Sequence, residues 1–152
     1  MTRALGIDYG RARFGLALSD EEQVLASPLP PYSCRRTRKA DLKFLVSLIK
    51  RRDVGRIVVG LPLHRDGSAG EMAQEAEAFA HELAGATNLP VDLIDERGTT
   101  LEANRILREG NVSAKKRKGL RDGIAAVQIL QTYLDGKGNT HKPNSPAQER
   151  FG

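Results

Sequence analysis

Three carboxylates stand where strand or helix patterning sets acids beside a binding site: Asp8, Glu96 and Asp122. Asp8 lies in Gly6-Ile7-Asp8-Tyr9-Gly10, at the end of the first apolar run. Strand alternation puts Ala4, Gly6 and Asp8 on one face, so the acid has only small neighbours there. Gly10 and Gly15 allow close backbone approach beside it. A turn aspartate closing a strand is the simpler reading of an isolated Asp-x-Gly. Glu96 ends the run Val91–Glu96, and ligands of α/β sheets gather beyond the carboxyl ends of strands. Asp95, one residue earlier, faces the other way and does not share its site.

Asp122 is the most informative of the three. Ala125, Ala126, Ile129 and Tyr133 follow it at i+3, i+4, i+7 and i+11, so it heads the sheet-facing stripe of a helix. An acid there is costly unless a cation pairs with it. Attraction to the helix dipole accounts for about 0.3–1 kcal/mol. It does not explain why Lys115, Lys116, Arg117, Lys118 and Arg121 crowd the same helix start. Phosphate binding does.

Carboxylates on three separate elements, with no histidine cluster, make a hard oxygen site suited to Mg²⁺ or Mn²⁺. Two such ions about 3.5–4 Å apart activate a water and stabilise the leaving oxygen in phosphodiester hydrolysis. Arg13 and the basic residues at the start of the last helix are then the contacts to a nucleic-acid backbone. The charge distribution agrees. Residues 1–96 carry 13 Lys and Arg against 14 Asp and Glu, and residues 97–152 carry 11 against 5, so the net +5 belongs to the last third. An alternative is a merely solubilising surface.

Other residues carry weaker signals. His64 falls in a loop, His81 in mid-helix and His141 near the C-terminus, and Cys34 has no histidine partner for nucleophilic chemistry. One cysteine forms neither an internal disulfide nor a thiolate metal cage. The chain lacks the phosphate-binding and dinucleotide-binding glycine motifs. Aromatic residues make up 5% of it, too few for a base-stacking platform. No apolar run is long enough to span a membrane, and Met1–Gly6 has no signal-peptide pattern, so a cytoplasmic chain is expected.

The elements that must position these acids can be read from periodicity. Ala4–Gly10 and Arg13–Ser19 read as a hairpin, and Val24–Pro30 as a third strand ended by its prolines. Leu42, Leu45, Val46 and Ile49 mark a helix over 38–52, and Ile57-Val58-Val59 a buried strand. Ser68-Ala69-Gly70-Glu71 reads as a capping box opening a helix with Met72, Ala76, Phe79, Ala80 and Leu83 on its core face. Thr99–Glu102 offers a second box, with a helix to Gly110, and Lys116–Leu134 a last long helix. The sum is one α/β domain over residues 1–135, a mixed sheet flanked by helices, with 136–152 expected to be a disordered tail. In 152 residues there is room for one such domain, not for the two that clamp a nucleotide in actin-like ATPases.

Taken together, Gly6–Gly10, Arg13–Ala17, Val59–Leu63, Asp66–Ser68, Asp95–Arg97, Thr99-Thr100 and Asp122-x-x-Ala125-Ala126 resemble the bacterial YqgF family. The resemblance runs in order from Arg3 to Leu134. It implies an RNase H-like fold with a five-stranded mixed sheet in the order 3-2-1-4-5. It also implies a metal-dependent nuclease site at Asp8, Glu96 and Asp122, acting on the 5′ end of pre-16S rRNA. Gly98 departs from the pattern, standing where similar sequences carry a bulky apolar residue. Two alternatives remain at this level: a resolvase of four-way DNA junctions, and a non-enzymatic RNA-binding factor. A monomer or weak homodimer is expected.

Overall fold

Leu5 and Ile7 alternate with Ala4 and Gly6 along β1 (Arg3–Asp8), and this alternation divides the molecule into two layers. β2 (Arg13–Ser19) pairs antiparallel with β1, Leu5 opposite Leu18 and Asp8 opposite Gly15, as the hairpin signal predicts. The remaining elements are β3 (Ala26–Ser33), α1 (Arg38–Arg51), β4 (Val54–Leu61), α2 (Glu71–Thr87), β5 (Val91–Asp95), α3 (Ala114–Leu134) and β6 (Thr140–His141). This computed structural model describes residues 2–64, 66–95, 114–136 and 140–141, with all their side chains except those of 114–122 and 140–141.

The sheet runs in the order β3-β2-β1-β4-β5-β6. Its first five strands have the expected 3-2-1-4-5 order, with β1, β4 and β5 parallel. Two-residue β6 adds to the β5 edge, His141 opposite Leu93 and Thr140 opposite Ile94, inside the segment expected to be a tail. The helix expected up to Gly110 and the rest of that tail lie outside the described residues.

Two local expectations are corrected. The prolines do not end β3, which runs through Pro28, Pro30 and Pro31 to Ser33. β3 is an edge strand, where a missing N–H can face solvent. The register slips by one residue between Leu16↔Leu29 and Phe14↔Tyr32, a bulge that absorbs Pro30 and Pro31. Nor does Ser68 cap α2. Its hydroxyl and its backbone N–H both donate to Asp66 Oδ1, at 2.6 and 2.9 Å. Gly70 takes the cap position without a side-chain bond, and a Cβ there would strike the His64 ring. The core face of α2 is Ala73, Ala76, Phe79, Ala80 and Leu83, with Met72 only half-buried.

On one face, α1 and α2 cover the larger core, built around Leu5, Ile7, Phe14, Ile57, Leu93 and Phe79. On the other, α3 lies over Ala4, Ala17, Val58 and Ile94 with Ala126, Ile129 and Leu130. This second face is made of small residues for a reason: a Cβ at Gly6 would lie 2.7 Å from Leu130 Cβ and 3.1 Å from the Ala126 carbonyl oxygen. At the far end of that layer Arg56 holds buried Asp92 at 2.8 Å and lies 5.7 Å from the Tyr133 ring centre. That acid is therefore a structural partner.

β3 is latched to α1 by buried Asp41, which accepts from the Tyr32 hydroxyl and the Arg35 backbone N–H, each at 2.8 Å. Burial, and then Asp41, push the Tyr32 phenol above its ordinary pKa.

Two stability predictions follow from these contacts. Gly6→Ala should destabilise the protein by about 1–3 kcal/mol, because the backbone of α3 and the root of Leu130 cannot yield as a flexible side-chain end would. An unchanged urea midpoint would show that α3 has room to move. Tyr32→Phe removes the hydroxyl that donates to buried Asp41 and should cost about 1–3 kcal/mol by the same measurement.

Candidate functional site

Asp8 closes β1 half-buried, on the α3 face and at the carboxyl end of the strand. The positions beside it on that face carry no side chain. Gly15 pairs with it on β2, and Gly60 follows Val59, the partner of Ile7, on β4. Sequence reading found Gly15 but passed over Gly60, whose role depends on β4 lying next to β1. On the sheet itself the acid is thus flanked by backbone on both neighbouring strands.

The turn that follows is fixed from several sides. Tyr9 points into the opposite layer and is 7% exposed, its ring 5.6 Å from Phe14 and 5.1 Å from Phe79. Arg38 at the start of α1 donates to the Tyr9 hydroxyl at 2.7 Å and lies 5.3 Å from the ring centre. Arg11 forms a two-pronged ion pair with Glu75 of α2 and approaches Glu71 at 3.8 Å. That pairing holds Glu75 below the usual carboxylate range. The Cys34 N–H donates to the Ala12 carbonyl at 2.9 Å, tying the turn to the end of β3. Burial, with Asp41 nearby, pushes the Cys34 thiol up, which disfavours the thiolate a nucleophile needs.

Arg13 opens β2, half-buried and opposite Ser33, one step beyond the turn. Asp122 lies in α3 one turn, about 6 Å of helix, before Ala126, whose carbonyl crosses Gly6. The helix expected from residue 116 begins at Ala114 and carries Lys115, Lys116, Arg117, Lys118 and Arg121 in its first two turns. The side chains of these six residues lie outside the described set. So do Glu96, which directly follows the last residue of β5, and Gly98. Asp95 is 8% exposed and shares the α1–α2 face with Leu93, as alternation predicts. The structure therefore brings the β1 acid and the helix bearing Asp122 to one face of the sheet. Among the described residues, no three His, Cys, Asp or Glu form a group able to hold a metal. The chemistry of the expected donors, carboxylate oxygens only, suits a hard divalent cation.

Among the described residues no helix is long and apolar enough to cross a membrane.

The chain matches the model of the RuvX family, described as Holliday junction resolvase, over residues 2–136. A relative from Anaeromyxobacter sp. (strain Fw109-5), named "Putative pre-16S rRNA nuclease", is 50% identical over 135 residues, covering 89% of this chain and 98% of its own. A protein of the same name from Pelotomaculum thermopropionicum is 43% identical over 140 residues, covering 92% and 91%. Among solved structures, Thermus thermophilus RuvC bound to a Holliday junction substrate superposes with a TM-score of 0.55 at 13% identity, covering 93% of this chain and 100% of that one. The fowlpox virus resolvase in complex with junction DNA gives 0.55 at 8% identity, covering 89% and 98%. The fold is thus RuvC-like, the RNase H-like architecture the motifs imply. With strand order, motif residues and a relative at 50% identity in agreement, the chain belongs to the RuvX family, the YqgF family of the sequence resemblance.

Proposed function

We propose that this protein is a divalent-metal-dependent nuclease that hydrolyses phosphodiester bonds in structured RNA, with the 5′ region of pre-16S rRNA in the cytoplasm as its substrate. The observation that carries the reading is Asp8, on a side-chain-free floor at the carboxyl end of β1, facing the layer of the Asp122 helix. The names of relatives up to 50% identical support the nuclease class and the rRNA substrate.

In this reading Asp8, Glu96 and Asp122 are the ligands of Mg²⁺ or Mn²⁺, with two ions as the fuller form of the site. Bound there, the metal supplies an activated water and charge stabilisation for the leaving oxygen. The chain itself supplies position. Gly15 and Gly60 leave room for the phosphate beside Asp8. Arg13 and the cations of the first turns of α3 hold the flanking backbone and offset the repulsion between carboxylates and phosphates. The pinned turn after Asp8 keeps the carboxylate from relaxing out of reach.

A second reading is favoured by the family description: hydrolysis of a four-way DNA junction by the same acids. Symmetric cutting of a junction requires two sites related by a two-fold axis, hence a dimer on the DNA.

The test compares wild type and Asp8→Asn on a precursor 16S rRNA 5′ fragment and on a four-way junction, with Mg²⁺, Mn²⁺ or EDTA. Wild type should cut the RNA only with metal. Asp8→Asn should lose about 10³-fold or more of the rate, roughly 4 kcal/mol of transition-state stabilisation, while still folding and binding RNA. Full activity in the mutant would remove Asp8 from the site. Cutting of the junction alone by a dimer would favour the second reading, and metal-independent binding without cleavage a non-enzymatic RNA factor.

A further inference from the structure

The near-neutral first two-thirds of the chain conceals a strongly basic surface. Residues 35–52 hold eight Lys and Arg against one acid, Asp41. That acid is buried and taken by Tyr32 and the Arg35 N–H. α1 spans most of this segment, and Lys39, Lys43 and Lys50 recur at i, i+4 and i+11, within about 40° of one another around the helix. All three are exposed, and so is Arg36 just before the Thr37 cap. None of the four takes part in an ion pair among the described residues.

Helix stability does not account for the stripe. Arg36 and Lys39 sit at the amino end of α1, where cations oppose the helix dipole. Lys39 and Lys43 are like charges one turn apart, which repel. The neighbouring helix α2 presents Glu77 and Glu82 to solvent, yet these acids are not drawn into pairs with the α1 lysines. The arrangement is understandable if its counter-ions come from outside the chain.

The position of the stripe identifies the partner. Its near end adjoins the β3 terminus, which is bonded through Cys34 to the turn that follows Asp8. From Lys39 to Lys50 it then extends about 16 Å along the helix. That length spans about five or more consecutive phosphates of one strand of a nucleic-acid duplex. We propose that the outer face of α1 binds the phosphate backbone of a double-helical segment of the substrate, flanking the stretch presented to Asp8. This rests on the nuclease reading for its orientation but not for its measurement. The acids of α2 bar the duplex from crossing that helix, so it lies along α1.

The test is equilibrium binding in EDTA, by fluorescence anisotropy across a salt series, for full-length wild type and Lys39→Gln/Lys43→Gln/Lys50→Gln. The probes are an RNA hairpin with a stem of about ten base pairs and a six-nucleotide single strand. The triple variant should bind the hairpin about tenfold or more weakly, with the slope of log K against log salt reduced by about 2–3. Its binding of the short strand and its circular dichroism melt should not change. Lys39→Arg/Lys43→Arg/Lys50→Arg should keep wild-type behaviour. Unchanged hairpin affinity and slope in the Gln variant, or no hairpin binding by wild type, would overturn the proposal and leave the stripe to an acidic protein surface. Cleavage assays separate the two readings. Normal RNA cutting with unchanged binding by the Gln variant sinks the α1 surface alone. A lost salt slope in a protein that cuts nothing sinks the nuclease alone.

Discussion

The packing of α3 directly on β1 at Gly6 is the constraint from which the site follows. A helix can come this near a strand only where the strand offers no Cβ, and Gly6 sits where Leu130 and the Ala126 carbonyl already occupy the space. Ala4 and Ala17 continue the same thin layer. The consequence is geometric: an acid two residues beyond Gly6 on that face lies on the side of the sheet that α3 covers. Asp8 is that acid. A larger residue at position 6 would lift the helix and with it the backbone that carries Asp122.

The two faces of the sheet divide the work. The α1–α2 face holds the bulky side chains, and its burial of Leu, Ile, Val and Phe supplies most of the stability at about 25 cal/mol per Å². The α3 face is poorer in apolar volume and correspondingly free to host polar groups. Alternation assigns neighbours to different tasks. Tyr9 goes to the thick layer, where Phe14, Phe79 and Arg38 hold it, while Asp8 faces the thin one. Anchoring the odd residue fixes the even one, so the aromatic cluster serves the site without touching it.

How much of this the sequence disclosed depended on how local the cause was. β1, β2, α1 and α2 could be read because periodicity is a property of a dozen consecutive residues. Ala125, Ala126 and Ile129 announced the buried side of α3 for the same reason, and all three are buried. β3 was misjudged because a proline is tolerated or not according to whether the strand lies at an edge, which no local window reveals. Ser68 was misjudged because Asp66 competes for its hydroxyl and His64 claims the space beside Gly70. Gly60 escaped notice until β4 was known to flank β1. The strand order itself came from family resemblance rather than from any pattern in the residues. Net charge misled through averaging, since acids of α2 cancel on paper the exposed lysines of α1 with which they form no ion pair.

Electrostatics make the rigidity around Asp8 more than incidental. Carboxylates gathered for a cation repel one another, and they also repel the phosphates they are meant to serve. A flexible acid would relieve that strain by turning to solvent, and the binding energy of any cation would then include the cost of bringing it back. Here the relief is blocked. Arg11 is committed to Glu75, Tyr9 to Arg38 and Ala12 to Cys34, three attachments reaching α2, α1 and the end of β3. The first of these ties a cation of the turn to an acid on α2. The strand end is thereby held by attachments to three other elements, the rigidity that a preorganised site requires.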